Sequence, residues 1–136
     1  MEVRGIGAGG SGIADLPDGR VVFVPRTTEG DRARIRVERI RPRWARGSLV
    51  EVLDPASSRV TPPCKKYAEC GGCQLQHVSY EDQLTWKGRF ITDALARIGG
   101  LGKVSAPEVV PSPSRLRYRN RVSFTLRRLS GRHVVA

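Results

Sequence analysis

The 136-residue chain carries 24 Lys and Arg against 13 Asp and Glu, a formal net charge of +11 at pH 7. This excess of positive charge predicts a polyanionic partner, with RNA or DNA as the first candidate. No apolar run approaches the roughly 20 residues that span a bilayer, and the start MEVRGIGAGG lacks the apolar core of a secretory signal. We therefore expect a cytoplasmic, monomeric protein with no membrane partner.

The glycine-rich start is predicted to lead into a β hairpin rather than a dinucleotide site. Residues 5–10 formally match G-x-G-x-x-G, a motif that binds dinucleotides only between a strand and a helix. Here the turn residues Pro17-Asp18-Gly19 follow, and the β-branched run 21–24 comes after them. The glycines are therefore interpreted as bends in a tightly curved sheet.

Residues 31–53 are predicted to add two strands to this sheet. Ala33, Ile35 and Val37 alternate with charged residues, and the alternation is lost near residue 39, which indicates a bulge. Five short strands in about 55 residues predict a small closed barrel of OB type, a fold that often binds single-stranded nucleic acid. The best candidates in it for base stacking and phosphate contacts form one cluster: Arg41, Arg43, Trp44 and Arg46.

All the cysteines of the chain fall within ten residues, at C-x5-C-x2-C spacing: Cys64, Cys70 and Cys73. Thiolates this close are most simply explained as ligands of one metal centre. Iron–sulfur clusters usually take four cysteines, whereas His77 would complete a Cys3His zinc site, and spacing leaves both metals open. A disulfide would leave one cysteine unpaired in a chain without signs of secretion. The neighbouring Lys65 and Lys66 would offset a negative cluster or contact phosphate.

A capped helix is predicted to follow the cysteine loop. Ser79 is the expected N-cap, and Gly99-Gly100 the expected stop. Gln83 and Lys87 lie one turn apart on a neighbouring stripe, and Trp86 and Phe90 form an apolar pair at the same spacing. Packing is the first interpretation of both pairs, and contact of Gln83 and Lys87 with the metal loop or a partner is the alternative. Apolar residues at helical spacing are expected to form the core of the helix: Tyr80, Leu84, Ile91, Leu95 and Ile98.

An arginine-rich strand is predicted from residue 115 to 126. Alternation places Arg117, Arg119 and Arg121 on one face, about 7 Å apart, a spacing that matches the phosphates of an RNA strand. A solvated charged edge is the alternative. Residues 131–136 are interpreted as the start of the second strand of a hairpin, so we expect the chain to be a fragment.

The string CKKYAECGGCQLQH, followed by Ser79-Tyr80, Gln83-Leu84 and Lys87, resembles the cluster-binding segment of the RNA 5-methyluridine methyltransferases. These enzymes use S-adenosylmethionine to methylate ribosomal or transfer RNA. The resemblance implies that the three cysteines are ligands of a 4Fe-4S cluster whose fourth ligand is absent from this chain. GxGxxG, dGRVVFVP and the EGD turn resemble the family's TRAM barrel, and RYRNR resembles the start of its central domain.

The resemblance implies a mainly β fold with α+β character in three parts. These are a TRAM or OB-like barrel over 1–54, a linker with the iron–sulfur loop over 55–78, and a helix with the first strands of an α/β central domain over 79–136. The implied function is RNA and 4Fe-4S binding by the N-terminal portion of a uridine C5-methyltransferase. The S-adenosylmethionine pocket and the catalytic residues would lie in the missing catalytic domain, so no catalytic residue is assigned here and no methylation by this chain alone is expected. The alternative is a stand-alone zinc-binding, nucleic-acid-binding module.

Overall fold

The computed structural model describes residues 1–118 and 120–121, together with the backbone of two later strands. The barrel region contains β1 (Gly5–Ile6), β2 (Ser11–Asp15), β3 (Val21–Pro25), β4 (Arg32–Ile40) and β5 (Trp44–Asp54). The helix α1 (Tyr80–Arg97) and the strands β6 (Leu126–Leu129) and β7 (Arg132–Val135) follow. In the part of the chain that the structure describes, no helix is long and apolar enough to cross a membrane.

The barrel strands form one sheet in the order β1-β2-β3-β5-β4. The β3–β5 pair is parallel and the other pairs are antiparallel. The residues before β1 close the sheet against the start of β4: Glu2 bridges to Arg32, and the Val3 N–H donates to the Asp31 carbonyl at 2.9 Å. The predicted small barrel is therefore confirmed.

Alternating side chains fill the barrel. Ala14, Val22, Val24 and Ala45 form a buried cluster, while the intervening residues of the same strands point outward. The register of the β4–β5 pair shifts between Val37 and Arg39, which confirms the predicted bulge. Because the bulge adds one extra residue to β4, the alternation of inward and outward side chains is shifted by one residue after it.

The glycine motif leads into strand β2 and not into a helix, so the context required for dinucleotide binding is absent. Gly12 of this strand packs directly on the turn after β3. A Cβ atom built on Gly12 would lie 1.9 Å from Oγ1 of Thr27, which is itself buried and donates to the Val24 carbonyl at 2.9 Å. The position therefore has room for glycine alone.

The helix α1 begins and ends as predicted. Ser79 Oγ accepts a hydrogen bond from the Asp82 N–H at 3.1 Å, and beyond the C-cap Ile98, Gly100 adopts a φ of +65°. The helix contacts the barrel through Trp86, whose ring lies over Gly5: a Cβ there would be 3.2 Å from Trp86 Cη2.

The predicted apolar core of α1 is wrong for Ile91 and Ile98, whereas Tyr80, Leu84 and Leu95 are half-buried. Ile91 is 48% exposed and Ile98 is 87% exposed, and the buried residue of the helix is Gly88, which packs against residues 106–109. Helical spacing predicts which side chains share a face of α1, but it does not predict which face packs on the barrel. Trp86, which contacts the barrel, lies on a different face from the predicted core residues.

The predicted strand from residue 115 is also wrong over its described part. Residues 115–117 form bends, and Arg117 has a left-handed φ of 58°. The segment is tied to α1, because the Ser112 N–H donates to the Tyr80 hydroxyl at 2.7 Å and Arg115 pairs with Glu81 at 3.2 Å. Residue 119 lies outside the described residues. Strands β6 and β7 pair antiparallel, as expected for a hairpin.

The close packing at Gly12 gives a test of the barrel. We expect Gly12→Ala to lower the free energy of unfolding by about 1–3 kcal/mol, because the buried Thr27 side chain must move. Gly9→Ala is the control, since no atom lies within 4 Å of a Cβ built there. Thermal or urea unfolding of both variants measures the difference, and equal stability would contradict this packing.

Candidate metal loop and nucleic-acid interface

A buried carboxylate joins the barrel to the linker that precedes the cysteines. Asp31 is 0% exposed and accepts hydrogen bonds from the Thr28 N–H at 2.7 Å, the Ala56 N–H at 3.1 Å and Arg59 Nε at 2.9 Å. Burial acts to raise the pKa of Asp31, but the hydrogen bonds from Arg59 and the two amides outweigh it, so the pKa lies below its usual value. The carboxylate therefore stays ionised and fully hydrogen-bonded.

Two arginines extend this connection to the cysteine loop. Arg59 Nη2 also donates to the Arg26 carbonyl at 2.9 Å, and Arg26 adopts a left-handed φ of 65°. From this position Arg26 Nη1 donates to the Ala68 carbonyl, inside the loop, at 2.9 Å. Arg59 also forms a β-bridge with Val78, at the far end of the loop. Both ends and the middle of the loop are therefore tied to the barrel.

A buried Tyr–His pair supports the cysteine loop. The Tyr67 hydroxyl lies 2.6 Å from His77 Nδ1 and 2.8 Å from the Gln74 carbonyl. Burial lowers the pKa of His77, and the Thr27 backbone opposes this only in part. Nε2 of His77 is buried without a hydrogen-bond partner among the described residues. Burial likewise raises the pKa of Tyr67. Both groups are therefore neutral at pH 7, and they act as a structural support.

The three cysteines of the loop are exposed, free thiols. Over the described residues, no three Cys, His, Asp or Glu side chains are gathered in an arrangement that holds a metal ion. His77 is 1% exposed, and its Nδ1 already contacts Tyr67. The structure thus does not bring the predicted ligands together around one point, and the metal site stays a prediction.

The chemistry of the loop nevertheless fits a thiolate-bound cluster. The Gly72 N–H donates to Cys70 Sγ at 3.4 Å, and Gly71 has no atom within 4 Å of a built Cβ. Three free thiols stand on a loop with room around it. The donor set is one ligand short of the usual four.

The outer face of the barrel gathers cations and aromatic rings. Arg39 and Arg46 lie directly opposite each other on β4 and β5, and Arg46 also lies beside Phe23 of β3. The Phe23 and Trp44 rings meet edge to face, with centroids 6.3 Å apart. Like charges facing each other across a ladder repel, so an anion between them is favoured. Among the described residues, neither arginine has an acidic partner.

The structure divides the predicted RNA-contacting residues into groups. Arg41, Arg43, Trp44 and Arg46 are exposed at the β4–β5 hairpin, and Lys65 and Lys66 are exposed in the cysteine loop. Arg117 is exposed beside Gln83 and Lys87 of α1, and Arg121 is exposed further along the chain. Lys66 pairs with Glu69 at 3.0 Å. Arg119 lies outside the described residues.

Sequence reasoning missed two members of the outer face, Phe23 and Arg39. Phe23 lies in the apolar run 21–24, which predicts a strand but does not indicate which of its side chains point outward. The bulge places Arg39 opposite Arg46. The lost alternation predicts that a bulge exists, but it does not predict which residues of β4 and β5 face each other beyond it.

Two clefts lie on either side of the cysteine loop. The smaller, of 430 Å³, is lined by Arg26 and Arg46 from the barrel and by Cys70 from the loop. The larger, of 620 Å³, lies between the loop, α1 and residues 115–118. Cys73 and Gln74 line both clefts, so the loop separates two adjoining spaces.

The barrel matches a known domain family. The family model described as the TRAM domain matches residues 2–50, the span that contains β1 to β4 and most of β5. Residues 2–50 are thus similar to a TRAM domain. The predicted barrel family is therefore confirmed, and the hairpin with Trp44 and Arg46 lies within the TRAM domain.

Longer relatives share the cysteine loop region as well. An uncharacterized RNA methyltransferase of Clostridium tetani is 35% identical over 97% of this chain. Proteins with the same description from Synechocystis and Thermosynechococcus vestitus are 38% and 40% identical over 94% and 90% of it. The chain spans only 27–28% of the length of these relatives. The predicted resemblance to part of the RNA methyltransferases is confirmed.

The buried ion pair predicts a pH-dependent contribution to stability. Asp31→Asn should lower the free energy of unfolding at pH 7 by about 3–5 kcal/mol, because Arg59, 18% exposed, loses its charged partner. The pKa of Asp31 is lower in the folded chain, so its contribution is complete above the unfolded-state pKa of about 3.9 and is lost as pH falls through the folded-state pKa.

Urea unfolding of both proteins at pH 7 and in acid checks this, and the two stabilities should converge in acid. Asp15→Asn is the control, since Asp15 and Arg4 form an exposed pair and its free energy of unfolding should barely change. A normal stability of Asp31→Asn at pH 7 would contradict the role of the pair.

Proposed function

We propose that this chain is the RNA-binding and 4Fe-4S-binding N-terminal portion of an RNA uracil-C5 methyltransferase that acts on ribosomal or transfer RNA. The observation that carries the RNA-binding part is that Arg39 and Arg46 lie opposite each other on neighbouring strands, beside the Phe23 and Trp44 rings. The naming of the relatives as RNA methyltransferases supports the enzyme class. The resemblance of the cysteine loop to the 5-methyluridine enzymes supports the uracil-C5 reaction.

The outer TRAM face suits single-stranded RNA for two reasons. A phosphate between the two guanidinium groups relieves their repulsion and accepts hydrogen bonds from both. The Trp44 ring is 39% exposed and offers a surface on which an unpaired base stacks, worth about 1–3 kcal/mol. The same face is neutralised further along the strands, where Arg34 pairs with Glu51 at 2.6 Å, so the RNA-binding part is the hairpin side of the face.

The cysteine loop is proposed to hold the cluster through Cys64, Cys70 and Cys73, with one ligand from outside this chain. When bound, the cluster supplies a rigid cross-link of the loop and an electron-rich sulfur surface. The chain's own residues do the positioning: Arg26 fixes the loop through the Ala68 carbonyl, and Tyr67 fixes it through the Gln74 carbonyl.

The proposed organisation follows the predicted division into 1–54, 55–78 and 79–136. Methyl transfer and S-adenosylmethionine binding are assigned to a catalytic domain of the complete enzyme, so no catalytic residue is proposed here. The cytoplasmic location and the monomeric state stay predictions.

Charge removal on the outer face tests RNA binding. Arg39→Gln/Arg46→Gln should weaken binding of a single-stranded 12-nucleotide RNA and reduce the slope of log K against log salt by about 1.4, because about 0.7 is lost per phosphate contact. Arg32→Gln/Arg34→Gln removes the same charge from residues that lie opposite Asp54 and Glu51 and should change binding far less. Fluorescence anisotropy across a salt series measures both, and equal losses would show a general charge effect only.

Metal loading tests the cysteine loop. Anaerobic reconstitution with iron and sulfide should give a brown protein with about four irons per chain. Cys64→Ser, Cys70→Ser and Cys73→Ser should each reduce iron loading, whereas Lys65→Ala, an exposed neighbour without a thiol, should not. One tightly bound zinc without iron would overturn the cluster assignment, and loss of that zinc in His77→Gln would then identify a Cys3His site.

A further inference from the structure

The larger cleft, of 620 Å³, has walls from four separate segments. The glycine loop at residues 8–10 and the cysteine loop at residues 72–76 form one side. Gln83 and Lys87 of α1 and residues 115–118 form the other. The volume is within the range of about 300–1,000 Å³ that is typical of small-molecule sites.

The walls of this cleft are held in place by specific contacts. Gly10, with a φ of +77°, lies so close to the cysteine loop that a Cβ atom would be 2.4 Å from Gln74 Cβ. On the other side, the Arg115 guanidinium lies over the Tyr80 ring at 4.4 Å while it pairs with Glu81. The cleft is therefore a property of the packed fold rather than of one loose loop.

The residues that face the cleft are suited to one nucleotide of a nucleic acid. Lys87 and Arg117 are exposed cations without an acidic partner among the described residues, and each can bind a phosphate. Tyr118 is an exposed ring for base stacking. Gln76 Oε1 accepts from the Cys64 N–H at 3.3 Å, so the Gln76 amide N–H₂ is the group that can donate to a base edge. The left-handed φ of 58° at Arg117 is a strained conformation of the kind that marks functional sites.

The smaller cleft connects this site to the outer TRAM face. Arg46, which lies opposite Arg39 on the barrel, lines the smaller cleft. Cys73 and Gln74 line both clefts, so a polynucleotide that passes from the smaller cleft to the larger one crosses the cysteine loop at these residues and then reaches Lys87.

We propose that the larger cleft binds an unpaired nucleotide of the same RNA strand that lies on the TRAM face, with Lys87 and Arg117 on its phosphates and Tyr118 on its base. This inference rests on the proposed RNA-binding function and adds a second, separate contact site. It predicts that the RNA runs from the hairpin, past Cys70 and Cys73, to the side of α1.

The test uses the complete chain and a single-stranded 12-nucleotide oligouridylate that carries one photoreactive 4-thiouridine. After irradiation, peptide mapping should find crosslinks in residues 72–76, 83–87 and 115–118. Lys87→Gln/Arg117→Gln should lower the affinity roughly tenfold at 0.1 M salt and reduce the salt slope by about 1.4. The crosslinks to the cleft peptides should disappear in this variant.

Arg97→Gln/Lys103→Gln is the matched control, because it removes the same charge from exposed residues that line neither cleft. If RNA binds but crosslinks map only to the barrel, or if the control loses as much affinity as the cleft variant, the cleft proposal is overturned while the TRAM proposal stands. If the unaltered chain does not bind the RNA at all, both proposals fail.

Discussion

The hydrogen-bonded carboxylate of Asp31 is the interaction on which the arrangement of this chain depends. It has no exposure to solvent, and it collects donors from the barrel turn at Thr28 and from the linker at Ala56 and Arg59. A buried charge is costly unless it is paired and hydrogen-bonded. Once paired, it binds the linker to the barrel, and through Arg59 it also holds Arg26, which reaches the cysteine loop.

Local signals were enough to predict most of the barrel and the helix ends. Turn residues marked the hairpin at Gly19, and Ser79 marked the start of α1, because these residues act on backbone groups within a few positions. The Asp31–Arg59 pair spans 28 residues and has no local signature, since the sequence shows many acids and arginines that could pair. The same holds for Gly12, where Thr27 of another segment leaves no room for a side chain.

The site residues show the same division between chemistry and placement. Spacing predicted three thiols on one loop, but whether their sulfur atoms converge depends on backbone angles that spacing does not determine. Alternation predicted Arg117 on a strand, yet the contacts of Ser112 and Arg115 with α1 bend that segment. Alternation also failed to reveal that Arg39 meets Arg46, because one extra residue in a bulge moves every later side chain to the other face.

The position of the cysteine loop links the two proposed activities. Cys73 and Gln74 form a common wall of both clefts, and the Gln74 carbonyl accepts from the Tyr67 hydroxyl, which also contacts His77 below. A ligand that orders the three thiols would therefore also order the surface between the outer face of the barrel and α1. A structural cluster in this place needs no redox chemistry to influence RNA binding, because a rigid wall lowers the entropy that is lost when the RNA strand is bound.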